Sequence, residues 1–530
     1  MGLERNLQKL RAEQHMTLEA FAEAVGVSRQ AVRKWEKGTA RPDLDRIVLI
    51  AKRFNVSLDA LLLDHDKRTA ETLATERKLL PDYAAMDRNE SYPDQLAEEY
   101  QQCIDEGKDI QAYHALFEAV GGMPPSEERE KIADQIFSLV LHAPKRSDYP
   151  YCEPSDLAGI RALRPAERHL PSGQIPEVEE LRDRILGAWL GRICGCLLGK
   201  PIEGIRSEEL KQLLEASGNQ PLSRYLRSTD VTPELCEKLT FSLTNRTYAD
   251  VIPCAPVDDD TNYVVLAQVL IDAYGRDFTP NDVRRVWLEK QPKYAYWTAE
   301  RVAYRNFIAG YRPPVSAEYK NPYREWIGAQ IRGDYFGYIN PGDPETAAEM
   351  AWRDACISHV GNGIYGEMFV SAMLAAAAVE SDLEQIVLAG LGQIPENCRL
   401  AACIRAVLDR FHAGESARAC FRYIHSLYDE HTGYGWCHVI PNAMIVVTAL
   451  LWGHGDFSRS ICMAVESCFD TDCNGATVGS ILGMRGGSRC IGEEWTRPLN
   501  GMLDTSIFGV GRVSIRDMAE HTLGHLPKKA

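Results

Sequence analysis

Residues 187–199 read GAWLGRICGCLLG, with a glycine at every fourth position, and Gly475, Gly479 and Gly483 repeat that spacing far along the chain. On an α-helix, positions four apart share one face, so each string predicts a helix bearing a stripe without side chains. Glycine weakens a helix by about 1 kcal/mol against alanine, so two such stripes call for a compensating contact. The contact they predict is a pair of central helices lying backbone against backbone, each joined to a loop that carries chemistry. From about residue 178 the pattern is helical to the end of the chain, without alternating strands, and the expected fold class is all-α. The small-residue stretch Ala372–Val379 predicts a further closely packed helix.

Two acidic strings stand far apart in the chain, Asp258-Asp259-Asp260-Thr261 and Asp470-Thr471-Asp472-Cys473-Asn474-Gly475, the second of them running into the later glycine segment. Each runs straight into an apolar, helix-like segment. A single Asp run is most often a solvated turn or a helix N-cap. Carboxylates crowded this closely repel one another unless a cation sits among them, and hard oxygen ligands favour Mg²⁺ or Mn²⁺.

Together with the glycine string and its continuation GKPIEG at 199–204, the acidic strings resemble the ADP-ribosylglycohydrolase family over roughly residues 180–520. The resemblance implies an all-α fold with two Mg²⁺ ions, or Mn²⁺, in a central cleft. It also implies hydrolysis of the bond joining ADP-ribose to an acceptor such as a protein side chain or a nucleobase. Asp258, Asp259, Asp260, Asp470 and Asp472 fall on its metal-binding positions, and Asp259 is also a catalytic candidate. The family often has Thr or Ser where Asp258 stands, and usually Ser or Thr where Cys473 stands; a thiol is a poor Mg²⁺ ligand. Glu203 matches the glutamate after the glycine-rich helix, an acid/base or substrate-orienting group, although an isolated Glu is usually a surface carboxylate. The segment ACISHVGNGIYGE at 355–367 resembles the family's Ser/Thr-His and Gly-Asn-Gly strings, which makes His359 and Asn362 substrate-binding candidates; a satisfied core histidine is the alternative for His359. Gln330, Arg332 and Asp334 are candidates for a second cleft wall, Arg332 as a phosphate partner or a plain surface arginine. Asn442 opens an apolar helix, as a cleft group or as a cap.

Residues 1–68 read as a separate five-helix module. Leu3, Leu7 and Leu10 share a face; Thr17 caps a helix that Gly26 stops; Ser28 opens a second, ending at Gly38. The helix–Gly–Val–Ser–helix junction, with VSRQAVRKWE at 27–36, resembles the helix-turn-helix of phage repressors of the Cro/cI type. There the second helix enters the major groove, which makes Ser28, Arg29, Gln30, Arg33 and Lys34 the DNA-binding candidates. Arg and Gln suit bidentate base contacts, and Lys and Ser suit phosphates. Leu18 stands where such modules commonly carry a Gln that touches the DNA backbone. Modules of this type act as dimers on paired half-sites, so a homodimer is the expected arrangement; a module kept only for dimerisation or protein contact is the alternative.

The formal charge of −16 over 530 residues argues against a chain that coats nucleic acid or anionic membrane as a whole. Residues 1–66 carry 11 Lys/Arg against 10 Asp/Glu, so any nucleic-acid contact is local. The 15 cysteines are scattered without a CxxC pair, which argues for reduced thiols in a cytoplasmic setting and against structural zinc. The apolar segment 185–199 is short and interrupted by Arg192, so no membrane span is expected. Residues 69–177 read as a helical connector and 178–525 as the glycohydrolase-like domain. Two other functions fit the same residues: an ADP-ribose- or nucleotide-sensing transcriptional regulator, and a nucleoside or riboside hydrolase.

Overall fold

A computed structural model describes residues 2–62 and 80–527. The chain divides into two compact units, residues 1–85 and 86–530. In the first, α1 (Leu3–Glu13), α2 (Leu18–Ala24), α3 (Arg29–Glu36), α4 (Leu44–Arg53) and α5 (Leu58–Leu62) enclose a small core of Leu7, Phe21, Val25, Val32 and Ile50. The caps lie where the sequence puts them: Thr17 accepts from the Ala20 N–H and Ser28 from the Ala31 N–H, each at 3.2 Å. Leu63, and residues 69–79 of the expected connector, lie outside the described residues.

The second unit is helical apart from the short pairing of β1 (Met502–Leu503) with β2 (Val513–Ser514). Its axis is the contact expected from the glycines. The first glycine helix, Val178–Gly199, runs antiparallel to the second, Thr471–Gly486. A methyl added at Gly191 would lie 2.0 Å from the Gly479 carbonyl oxygen, and one at Gly195 2.0 Å from that of Gly475. Gly187 faces Gly483 in the same way, and Gly199 meets the backbone of Thr471 and Asp472. The backbones touch directly, so no side chain larger than hydrogen fits between them. The first glycine helix is long and apolar enough to cross a membrane, yet its apolar stretch is mostly buried inside the protein. It is a core helix.

The expected connector does not stand apart. Residues 86–177 fall in the same unit as the glycine helices, tied by buried ion pairs. Arg301 binds Asp87 at 2.7 Å, Arg324 binds Glu99 and Glu106 at 2.8 and 2.6 Å, and Arg399 binds Glu153 at 2.9 Å. These pairs span more than 200 residues of sequence, which local periodicity cannot register.

Gly191→Ala and Gly479→Ala should each separate the two helices and destabilise the second unit, by at least the ~1–3 kcal/mol typical of overpacking. An exposed control, Gly414→Ala, has open space around it but a φ of +71°, so it reports backbone strain alone. Denaturant midpoints should fall much further for the two helix variants than for this control.

Candidate functional site

Antiparallel pairing of the glycine helices sets the C-terminal end of the first beside the N-terminal end of the second. The first leads into Lys200 and Glu203; the second begins at Asp470 and Asp472. Thr471 Oγ1 locks the junction by donating to the Gly199 carbonyl at 3.0 Å. A third terminus joins them: the helix Asp259–Tyr274, whose N-cap Asp258 accepts from the Asp260 N–H at 2.9 Å. Two helix N-termini thus point their positive ends at one group of carboxylates.

The turn that presents Asp470 is strained. Cys468 and Phe469 both have positive φ, 62° and 58°, a conformation that costs side-chain-bearing residues about 1–3 kcal/mol each. Asn442 holds the turn: its Oδ1 accepts from the Asp470 N–H at 3.2 Å and from Asn474 Nδ2 at 2.8 Å, while its own amide donates to the Trp436 and His438 carbonyls. Asn442 therefore positions the second acidic string from behind.

Two cationic side chains that the sequence reading left without a role in the site stand among the carboxylates. Arg192, buried on the first glycine helix, donates to Asp260 Oδ1 at 2.7 Å and to Asp334 Oδ1 at 3.2 Å. Lys200 pairs with Asp258. Burial alone would lower the Lys200 pKa, but Asp258, together with Cys196 and Asp472, raises it, so the ammonium keeps its charge. These two cations leave the group strongly negative. Burial, then the charge of Asp258, pushes the Asp472 carboxyl up to about 6. Burial likewise raises Asp259, Asp260 and Asp470, helped by the neighbouring aspartates. Glu203, which is exposed to the cavity, is raised first by the charge of Asp472, then by partial loss of water among the surrounding protein atoms. Asp260 Oδ2 and Asp472 Oδ1 are buried with no hydrogen-bond partner among the described residues. Buried, unpartnered carboxylate oxygens that repel one another fit a divalent cation. The thiols fit it poorly: burial raises Cys196 and Cys473 well above the usual thiol range.

The site opens into a cavity of about 600 Å³ walled by Lys200, Glu203, Asp258, Asp259 and Asn262 on one side and by Tyr294 and Trp297 on the other. Tyr294 and Trp297 are 65% and 54% exposed. Arg301 backs both rings, at 5.1 and 4.6 Å from their centroids. Thr298 carries a φ of 41°, and Asn89 Oδ1 accepts from its N–H at 3.2 Å. With the Asp87–Arg301 pair, segment 87–89 buttresses the aromatic lip.

The six substrate candidates do not line this cavity. Arg332 is 2% exposed and its guanidinium is taken by Glu300 at 2.6 Å, Asp354 at 2.5 Å and Glu367 at 3.5 Å, between the Tyr263 and Trp287 rings. It has no face left for phosphate, and it is a core ion cluster rather than a surface arginine. Asp334 is the counter-charge of Arg192. Asn362 uses its amide on Glu153 and Glu325, and its oxygen accepts from the Leu400 N–H. His359 is buried, bonded through Nδ1 to Ser358 Oγ at 2.8 Å, and burial holds it neutral. Gln330 is buried with both amide atoms unpartnered among the described residues, and Asn442 acts through Asp470. In the first unit, Ser28, Arg29, Gln30, Arg33 and Lys34 form one exposed face while Val32 and Trp35 are buried. Arg29 pairs with Glu19 at 2.8 Å.

Residues 177–529 match the family described as ADP-ribosylglycohydrolase. The chain belongs to that family. Residues 7–61 match a helix-turn-helix family. The same end is similar to the HTH-type transcriptional activator BcrR of Enterococcus faecalis, 40% identical over 73 residues, which are 14% of this chain and 36% of that protein. It is also similar to the uncharacterized HTH-type transcriptional regulator YobD of Bacillus subtilis, 31% identical over 58 residues, 11% of this chain and 52% of that one. The chain thus spans about half or less of these curated relatives. A solved chain of an ADP-ribosylglycohydrolase-related protein complex aligns at 19% identity and a TM-score of 0.41, covering 66% of this chain and 98% of that chain. The protein therefore joins an ADP-ribosylglycohydrolase domain to a helix-turn-helix domain.

The raised Asp472 carboxyl predicts a pH signature. A carboxyl with a folded pKa of about 6 against an ordinary 3.8 binds its proton more tightly folded than unfolded. Its unfavourable contribution therefore grows as pH rises through that window and is absent below it. In EDTA, Asp472→Asn should melt higher than wild type at pH 7 and equal to it near pH 4. Equal melting temperatures at both pH values would contradict the electrostatic account.

Proposed function

We propose that this protein is a metal-dependent hydrolase that releases ADP-ribose from an acceptor, joined to a module that binds DNA. The observation that carries the reading is the convergence of three helix ends, which gathers the unpartnered buried oxygens of Asp260 and Asp472 in one group with Asp258, Asp259 and Glu203, which line an open, aromatic-lipped cavity. Asp259, Asp260, Asp470 and Asp472 are the residues that would hold two Mg²⁺ ions. Such ions supply positive charge that binds ribose hydroxyls and acidifies water. Asp258 is engaged by Lys200, so it serves as an outer carboxylate in this reading. Glu203 faces the cavity and holds a proton more tightly than an ordinary glutamate, which suits it to protonate the departing acceptor. The surrounding carboxylates favour the positive charge that develops at the anomeric carbon. A regulator that senses ADP-ribose without turnover is the second reading, supported by the similarity of the first unit to transcriptional regulators.

Free ADP-ribose should appear when the protein meets ADP-ribosylated substrates with Mg²⁺, and not after EDTA. Glu203→Gln should lower turnover about 10²–10⁴-fold while nearly retaining substrate affinity. Ligand binding without turnover across a substrate panel would favour sensing.

The exposed α3 face is small and the rest of the chain is acidic, so DNA binding should fade steeply with salt. In selection from random duplexes at low salt, wild type should enrich a motif that the Arg29→Ala/Gln30→Ala variant does not. Enrichment of no motif by wild type would make the module a protein-contact domain.

A further inference from the structure

Away from the cleft, the far end of the helix Asp259–Tyr274 meets the C-terminal helix Ile515–Leu523. There Asp272 faces two histidines four residues apart. His521 Nε2 stands 2.8 Å and His525 Nε2 3.0 Å from one and the same oxygen, Asp272 Oδ1. The ligand atoms of the three residues all lie within 4.8 Å of one another. The four-residue spacing sets both rings on one side of the chain, with their centroids 5.0 Å apart.

We propose that Asp272, His521 and His525 form a binding site for a divalent transition metal of the Zn²⁺ class, distinct from the acidic cleft. Two imidazoles with one carboxylate are a donor set that favours Zn²⁺ over Mg²⁺. The distances suit it: donors at Zn–N and Zn–O lengths of about 2.0–2.2 Å in a tetrahedron stand about 3.3–3.6 Å apart. The two imidazole–carboxylate separations therefore need to open by only several tenths of an ångström, and the two imidazole nitrogens lie within 4.8 Å of each other. The rear of His525 is already fixed, with Nδ1 2.6 Å from the Tyr335 hydroxyl oxygen. That hydroxyl in turn accepts from Gln268 Nε2 at 3.2 Å. Metal-bound histidines characteristically have their second ring nitrogen held in this way; here Nδ1–H would donate to Tyr335.

Burial lowers the pKa of His525, which favours the neutral imidazole that binds metal. Arg276 donates to the His525 carbonyl at 2.9 Å, and its charge tempers the affinity. His521 and Asp272 are 49% and 42% exposed, which leaves an entry path and a fourth position for water. A metal here would staple the C-terminal helix to the helix that begins with Asp259. It would also reinforce the contact in which Trp189 of the first glycine helix donates to Thr522 Oγ1 at 3.1 Å. The expectation against structural zinc weighed cysteines alone; this site is built from imidazoles on elements far apart in sequence.

The test titrates metal-free, full-length protein with Zn²⁺, read by calorimetry and by thermal unfolding. Wild type should bind an equivalent of Zn²⁺ that His521→Ala and Asp272→Asn weaken by at least about 10-fold. The same variants should lose the accompanying rise in melting temperature. His521→Cys, which restores a zinc ligand but not the imidazole–carboxylate hydrogen bond, should retain the equivalent. Zn²⁺ binding and stabilisation identical in wild type and His521→Ala would overturn the proposal. So would loss of the equivalent in His521→Cys, because it would reduce the three residues to an ion pair.

Discussion

The contact of backbone on backbone between the two glycine helices is the constraint on which the rest of the second unit depends. Helices with ordinary side chains pack at about 8–10 Å, a separation that would pull Lys200 and Glu203 away from Asp470 and Asp472. Glycine at four successive turns of one helix and three of the other removes that spacing. The loss of helix propensity is recovered through continuous van der Waals contact and close carbonyl approach. Because the helices run antiparallel, the loop after one and the turn before the other emerge at the same end. Packing and chemistry are thus two consequences of one repeat.

What that geometry gathers is electrostatically expensive, and the structure shows several ways in which the expense is met. Arg192 reaches from within the first glycine helix to tie Asp260 and Asp334 together, and Lys200 neutralises Asp258. Helix N-termini face Asp258 and Asp472. The remaining imbalance surfaces as raised carboxyl pKa values and as oxygens without partners. Backbone strain lies in the same region, at Cys468 and Phe469 under Asp470 and at Thr298 beside Trp297. Such strain persists only where the surroundings hold it; Asn442 does so on one side and Asn89 on the other.

How much of this was legible in the sequence follows from the range of each interaction. The glycine period, the Thr17 and Ser28 caps and the apolar face of α3 are local patterns, and each appears where the residues indicate. The two acidic strings are local as well; the second adjoins a glycine helix, whereas the first arrives on a separate helix, Asp259–Tyr274, and its place beside the second was an expectation of the family resemblance. Lys200 was in view within GKPIEG, but its role depends on Asp258, 58 residues away. In the sequence Gln330, Arg332 and Asp334 read as a second cleft wall, and Asn362 as a substrate group through the resemblance to the family's Gly-Asn-Gly string. Three carboxylates around Arg332 and the pairing of Asp334 with Arg192 make them internal struts instead, an arrangement that only the tertiary structure reveals.

Buried charge also marks where the second unit begins. The family match starts at residue 177, yet Arg301 and Arg324 sit buried with counter-charges supplied from before it: Asp87 for the first, Glu99 and Glu106 for the second. Arg399 is shared between Glu153 and Glu325. Removing one partner of a buried ion pair leaves an uncompensated charge, at a cost of about 3–5 kcal/mol. A chain cut at the family boundary would carry that penalty at Arg301 and Arg324 and lose half the compensation at Arg399. It would also free the Thr298 N–H and leave Arg301, which backs the Trp297 ring, without the Asp87 carboxylate that holds it. Segment 86–177 is therefore part of the hydrolase unit: it neutralises that unit's interior and holds the lip of its cleft.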